Sequence, residues 1–186
     1  MITLTDKDIM ELLKKNGLHQ TTLQDEVVAK LIEYKVKVAT AESCTGGLIS
    51  ERITSVSGSS EVFDCGVCSY ANEIKEKVLG VSAETLAVLG AVSAETAIQM
   101  AEGVKKISGA DSAVSTTGIA GPTGGTAEKP VGLVYMGVCT DKEAYAIKLM
   151  LGGSGSTPNS RGQIRRLASS AALFTMLSET YKFKKD

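Results

Sequence analysis

Apolar positions along the chain recur with two periods, and the switch from one to the other marks out the elements. Thr5 caps a short helix that runs to about Lys15 and is stopped by Asn16-Gly17. A second helix follows from Thr22 to Tyr34, with Leu23, Val27 and Leu31 on one face at helical spacing. Val36 to Thr40 is β-branched and apolar and reads as a strand, and Gly46 opens a helix to about Val56. After the loop Ser57-Gly58-Ser59-Ser60, a strand is expected from Val62 to Tyr70 and a short helix from Asn72 to Leu79. Ser82 and Ser93 each precede an early acid and cap a further helix, the second placing Ala97, Met100, Ala101 and Val104 inward. Ala110 to Thr117 is an apolar strand that ends in the glycine-rich stretch 118–125. Two strands follow, Val131 to Cys139 and Ala144 to Leu151, joined so closely that they form a hairpin. Gly152 to Pro158 reads as a loop, with Asn159 capping a last helix to about Tyr181.

Strands alternating with helices, plus that hairpin, predict an α/β domain. The expected fold is a layered α/β/α arrangement around a mixed sheet that includes one antiparallel hairpin. With no repeat or linker, residues 1–186 read as a single domain, and residues 1–20 as its leading helical extension. The two polar glycine turns, at 43–47 and 118–125, follow strands, and in such sheets ligands bind beyond the strands' carboxyl ends.

Composition narrows the function. Net charge is −1, from 20 Lys and Arg against 21 Asp and Glu, and aromatics make up 4% with no Trp, which argues against direct nucleic-acid contact. No apolar run is long enough to span a membrane and the N-terminus lacks signal-peptide order, so the expected localisation is cytoplasmic. The Lys-rich end, 182–186, reads as a solvated tail. Cys44, Cys65, Cys68 and Cys139 fit reduced thiols. Cys65 and Cys68 match C-x-x-C spacing, but on a strand they point to opposite faces, so no metal site and no cofactor is expected. The single histidine, His19, lies in the leading segment, so a hydrolase built on this chain needs another base.

The turn Thr40-Ala41-Glu42-Ser43-Cys44-Thr45-Gly46-Gly47 concentrates the candidate chemistry. A strand that breaks at a helix start presents Ser43 beside unpaired N–H groups, a geometry that suits either a phosphate or a nucleophile with an oxyanion site. Taken alone, Ser and Thr there also suit simple capping. Tyr70 ends a strand and Lys75 lies on the helix after it. A lysine in a dry pocket loses its proton readily and can deprotonate a serine without histidine, and a tyrosine hydroxyl can orient it.

These segments, together with Tyr70-x-Asn72-x-x-Lys75, Gly90-Ala91-Val92-Ser93, Thr117-Gly118-Ile119-Ala120-Gly121-Pro122 and Lys129-Pro130-Val131-Gly132, occur in order and resemble the CinA C-terminal domain family. Those are competence/damage-inducible proteins whose characterised activity is nicotinamide mononucleotide deamidation. The resemblance covers about residues 22–180 and implies the stand-alone form, without a molybdopterin-binding-like domain ahead of it. It implies Ser43 as nucleophile, Lys75 as general base and Tyr70 as the partner of Lys75. It also implies Thr117 as a substrate contact, with Arg161 a further candidate; the N–H groups of the Thr45-Gly46 turn suit an oxyanion, and Gly118, Gly121 and Gly124 of the 118–125 loop suit the phosphate. The implied reaction is amide hydrolysis to nicotinate mononucleotide and ammonia through an acyl-enzyme. Its partner is a small nucleotide substrate, with no membrane and a homo-oligomer, a dimer, expected from the small-residue-rich helices. The alternative readings are a non-catalytic nucleotide-binding module and a competence- or DNA-damage-related interaction module.

Overall fold

A computed structural model describes residues 1–153 and 158–183. The described residues form a mixed sheet of six strands: β1 (Thr3–Thr5), β2 (Val38–Glu42), β3 (Phe63–Cys68), β4 (Ser112–Gly118), β5 (Leu133–Thr140) and β6 (Ala144–Met150). Their order across the sheet is β1-β6-β5-β4-β2-β3. Pairs β1–β6, β2–β4 and β2–β3 are parallel, while β4–β5 and the hairpin β5–β6 are antiparallel. The helices are α1 (Asp6–Lys15), α2 (Leu23–Tyr34), α3 (Leu48–Thr54), α4 (Asn72–Leu79), α5 (Ala83–Val88), α6 (Ala94–Ser108) and α7 (Arg161–Thr180).

The two faces of the sheet bury different cores, which makes the architecture a three-layer α/β/α fold. On one face α1, α2, α3 and α7 pack Ile9, Leu23, Leu31, Ile49, Ile53 and Leu173 against Val38, Val114 and Met136. On the other, α4 and α6 pack Leu79, Met100 and Val104 over Ala39, Ala41 and Ala113. Small residues on the strands of that second face let α6 sit close: a Cβ on Gly137 would stand 2.1 Å from the Ala97 carbonyl oxygen. Arg52 of α3 is buried, and its guanidinium donates to Ser169 Oγ, Ser170 Oγ, Gln24 Oε1 and the Gln20 carbonyl, tying α3 to α2 and α7.

Three details differ from expectation. The leading segment is not helical alone: Thr3–Thr5 forms β1 along the free edge of β6, a partner too remote in sequence for a three-residue strand to announce. The last helix is capped by Ser160, which exchanges hydrogen bonds with Gln163 in a capping box. Asn159, the expected cap, instead donates to the Leu151 carbonyl and to Asp6 Oδ2. Two adjacent residues of equal capping aptitude were separable only by where the chain leaves β6. The helix expected to open at Gly46 begins at Leu48, because Gly46 and Gly47 both take positive φ. The expected loop over 152–158 lies partly outside the described residues, at 154–157, and so does the end of the Lys-rich tail, at 184–186.

No helix among the described residues is long and apolar enough to cross a membrane.

Candidate active site

Strand β2 delivers Ser43 and fixes it on both sides. The Ser43 N–H donates to the Thr116 carbonyl of β4 at 2.9 Å, continuing the ladder one step past the strand. Glu42, just before it, is fully buried; its carboxylate accepts from the N–H groups of Ile49 and Ser50 at 3.0 and 2.8 Å and from Ser50 Oγ at 2.7 Å. A buried carboxylate on the first N–H groups of a helix is satisfied by hydrogen bonds and by the helix dipole together. Glu42 therefore clamps α3 to the end of β2 and holds the intervening turn, a role the sequence reading missed. Its signal was an acid ending an otherwise apolar strand immediately before a helix start.

Lys75 comes from α4 on the far side of the sheet. It is 1% exposed, on the same helix face as Leu79 one turn later. Its Nζ lies 3.1 Å from Ser43 Oγ, 2.7 Å from the Ser69 carbonyl oxygen and 3.2 Å from the Tyr70 carbonyl oxygen. No carboxylate among the described residues pairs with it. Burial therefore dominates and pushes the amine below the ordinary lysine range, with the thiols of Cys44 and Cys68 opposing weakly. A neutral amine has two N–H donors and one lone pair. Two carbonyls and one hydroxyl match that set, leaving the lone pair for the Ser43 proton.

The structure places Tyr70 differently from its expected role. Its side chain is 63% exposed, and its hydroxyl accepts from Arg161 Nη2 at 3.2 Å. Its link to Lys75 is the main-chain carbonyl, because the chain turns out of β3 here and leaves the ring at the surface. Tyr70→Phe is accordingly expected to lower turnover by less than about tenfold, measured as initial rate, since the carbonyl that meets Lys75 is kept.

Thr117, unlike Tyr70, is buried at 1% exposure, and its hydroxyl donates to the Ala91 carbonyl at 2.7 Å, which anchors the 90–93 turn. Gly118 is where β4 and β5 approach: a Cβ there would stand 2.5 Å from the Leu133 carbonyl oxygen. Gly121 and Gly124 both take positive φ in the loop beyond. Thr45 is buried with its hydroxyl against Thr116 Oγ1 at 2.7 Å. The Gly46 N–H, an expected oxyanion donor, is already held by the Ser43 carbonyl at 3.1 Å. By contrast, no carbonyl among the described residues takes the N–H of Cys44 or Thr45.

Helix α7 adds two guanidiniums one turn apart on one face. Arg161 reaches the Gly121 carbonyl at 2.8 Å as well as Tyr70, bridging the glycine loop to the end of β3. Arg165, which the sequence reading passed over, donates twice to the Thr45 carbonyl, at 2.7 and 3.1 Å, and so braces the Ser43 turn. The spacing of four from Arg161 was its signal. His19 is exposed between α1 and α2, and Cys65 and Cys68 turn opposite ways on β3.

Cys44 is buried beside Ser43, and its thiol is pushed up to about 12, chiefly by burial and further by the Glu42 charge. It stays a thiol at neutral pH and packs as a small apolar group. Cys44→Ala should keep at least a third of the turnover, measured as initial rate; loss comparable to that of a Ser43 variant would move the nucleophile by one residue.

Comparison with known proteins decides the family. The CinA C-terminal domain model matches residues 20–180. The chain belongs to the CinA family. A putative competence-damage inducible protein of Thermoanaerobacter sp. (strain X514) is 56% identical over 144 residues, covering 77% of this chain and 35% of the relative. A CinA-like protein of Kosmotoga olearia is 47% identical over 175 residues, covering 93% of this chain and 41% of the relative. The chain thus spans well under half the length of these CinA relatives. Among solved structures, competence/damage inducible protein CihA from Agrobacterium tumefaciens superposes with a TM-score of 0.79 at 39% identity, over 86% of this chain and 94% of that one. The competence damage-inducible protein A of Klebsiella pneumoniae subsp. pneumoniae MGH 78578 gives 0.81 at 29% identity, over 89% and 99%.

Proposed function

We propose that this CinA-family chain is an amidohydrolase that converts nicotinamide mononucleotide to nicotinate mononucleotide and ammonia through a Ser43 acyl-enzyme, with Lys75 as general base. The observation that carries the reading is the buried Lys75 amine 3.1 Å from Ser43 Oγ, with no carboxylate partner among the described residues. A lysine kept for charge alone has no reason to be buried without an acid, at the cost of desolvation. The choice of nicotinamide mononucleotide rests on the family resemblance, and the amide chemistry on the dyad.

Ser43 Oγ attacks the carboxamide carbon while its proton passes to the Lys75 lone pair. The N–H groups of Cys44 and Thr45, pointing from the turn, receive the developing oxyanion. Lys75 then returns the proton to the amine nitrogen as the C–N bond breaks and ammonia leaves. Water, deprotonated by the neutral Lys75, attacks the acyl carbon, and Lys75 returns that proton to Ser43 Oγ as the ester C–O bond breaks and nicotinate mononucleotide leaves. Arg161 and Arg165 lack carboxylate partners among the described residues, and they set positive charge beside the site for a phosphate group.

Incubating the purified chain with nicotinamide mononucleotide tests this directly. Ammonia and nicotinate mononucleotide should appear in equal amounts. Tight binding with no ammonia would make the chain a nucleotide-binding module instead.

A further inference from the structure

Ser69 has a fully buried side chain whose hydroxyl meets no hydrogen-bond partner among the described residues. A sealed, unpartnered hydroxyl is costly, and native folds rarely keep one without use. Its position is specific. In the β2–β3 register Glu42 stands opposite Cys68, and the Ser69 N–H donates to the Glu42 carbonyl at 2.8 Å, so Ser69 stands beside Ser43 on the neighbouring strand. Alternation from Cys65 and Val67, which pack against the core cluster that includes Leu79 of α4, carries the Ser69 side chain to the Lys75 face. Lys75 Nζ already touches the carbonyl of this same residue at 2.7 Å. Bond lengths alone put a serine Oγ about 3–4 Å from its own carbonyl oxygen.

We infer that Ser69 is a positioning residue for Lys75, its hydroxyl being the acceptor to which the lysine's third N–H turns once Ser43 has given up its proton. While the amine is neutral, its two N–H groups go to the Ser69 and Tyr70 carbonyls and its lone pair to Ser43, so the Ser69 hydroxyl adds nothing. When the amine becomes an ammonium, Ser43 Oγ is bonded to carbon and is a poor acceptor. The third N–H then needs another oxygen until it is handed to the leaving nitrogen. An acceptor of this kind favours the charged form and offsets burial, which by itself would make the amine too weak a base to take a serine proton.

The other groups facing Lys75 do not supply this. Cys44 and Cys68 are its titratable neighbours from the Ser43 turn and β3. The Glu42 carboxylate is committed to α3 and the Arg165 guanidinium to Thr45. Helix α6 turns Thr96, Ala97 and Met100 inward, none of which titrates.

The kinetic consequence rests on the amidase reading, but the effect on Lys75 does not. The test is to titrate the Lys75 side chain by carbon-13 NMR in the Ser43→Ala chain, where Ser43 Oγ no longer takes the third N–H, and to measure kcat with Ser43 in place, each with Ser69, Ser69→Ala and Ser69→Thr. Ser69→Ala should lower the Lys75 pKa by about one pH unit, the size of a hydrogen bond to a charged group, and kcat by about tenfold. Ser69→Thr should restore both. If Ser69→Ala does not fold, Ser69→Cys, nearly isosteric and a weak acceptor, should show the same lowering. A Lys75 titration unchanged in the alanine or cysteine variant overturns the inference, whatever happens to the rate. A lowered titration, with no ammonia released by the chain that keeps Ser43, would keep the inference and sink the proposed reaction.

Discussion

Ser43→Ala should abolish ammonia release from nicotinamide mononucleotide, by on the order of 10⁴-fold or more, while nucleotide affinity and fold are kept. The size follows from what is removed. In the proposed reaction the hydroxyl is the atom that forms the acyl bond, and the neighbouring thiol of Cys44, pushed up to about 12, cannot replace it at neutral pH. The fold survives because the Ser43 turn is held by main-chain and neighbouring groups. The Ser43 N–H is on the Thr116 carbonyl, Glu42 clamps α3, and Arg165 braces Thr45, none of which uses the serine hydroxyl. Removing that hydroxyl also frees the Lys75 lone pair, which costs little because the amine keeps both carbonyl acceptors. Single-turnover assays and equilibrium binding on the same preparation check the two halves. More than a tenth of the activity left would take Ser43 out of the nucleophile role.

The site was legible in the sequence where local chemistry determined it, and illegible where long-range packing did. The strand-to-helix break at Ser43 is visible because β-branched residues give way to hydroxyls and two glycines. The hairpin is visible because a polar tetrad separates two apolar strands. Burial of Lys75 is harder to see. Glu73, Glu76 and Lys77 make α4 look solvated, and only the spacing of four to Leu79 puts Lys75 on the inner face. The resemblance implies the Tyr70 hydroxyl as the partner of Lys75 and the Thr117 hydroxyl as a substrate contact. Their actual partners, Arg161 and the Ala91 carbonyl, come from segments 91 and 26 residues away, which no local pattern contains. The antiparallel run of β4 against β5 is hidden for the same reason, since the long glycine loop between them fits either direction.

Replacing Lys75 should be nearly as damaging as replacing Ser43, because in the proposed reaction the two act as one unit and their losses do not add. Lys75→Met and Lys75→Arg are both expected to lose about 10³–10⁴-fold in kcat/KM. The arginine variant is the sharper test, since it keeps the positive charge but cannot surrender its proton at neutral pH. In the wild type, kcat/KM should rise with pH through the folded pKa of Lys75, which burial lowers from 10.5. Stability carries an independent sign. A lysine whose folded pKa lies below its unfolded value leaves the unfolded chain binding more protons between the two, so wild-type stability rises with pH across that window. The penalty for burying the ammonium is fully present below the folded pKa and is gone by about 10.5. Lys75→Met has no such slope. Its stability relative to wild type should therefore be most favourable on the acid side of the window and decline steadily toward pH 10.5, as read from urea midpoints at matched pH. Normal turnover in Lys75→Arg would reduce the lysine to a fixed charge. A flat stability difference between Lys75→Met and wild type would mean that the amine is not held dry, and the serine–lysine mechanism would lose its base.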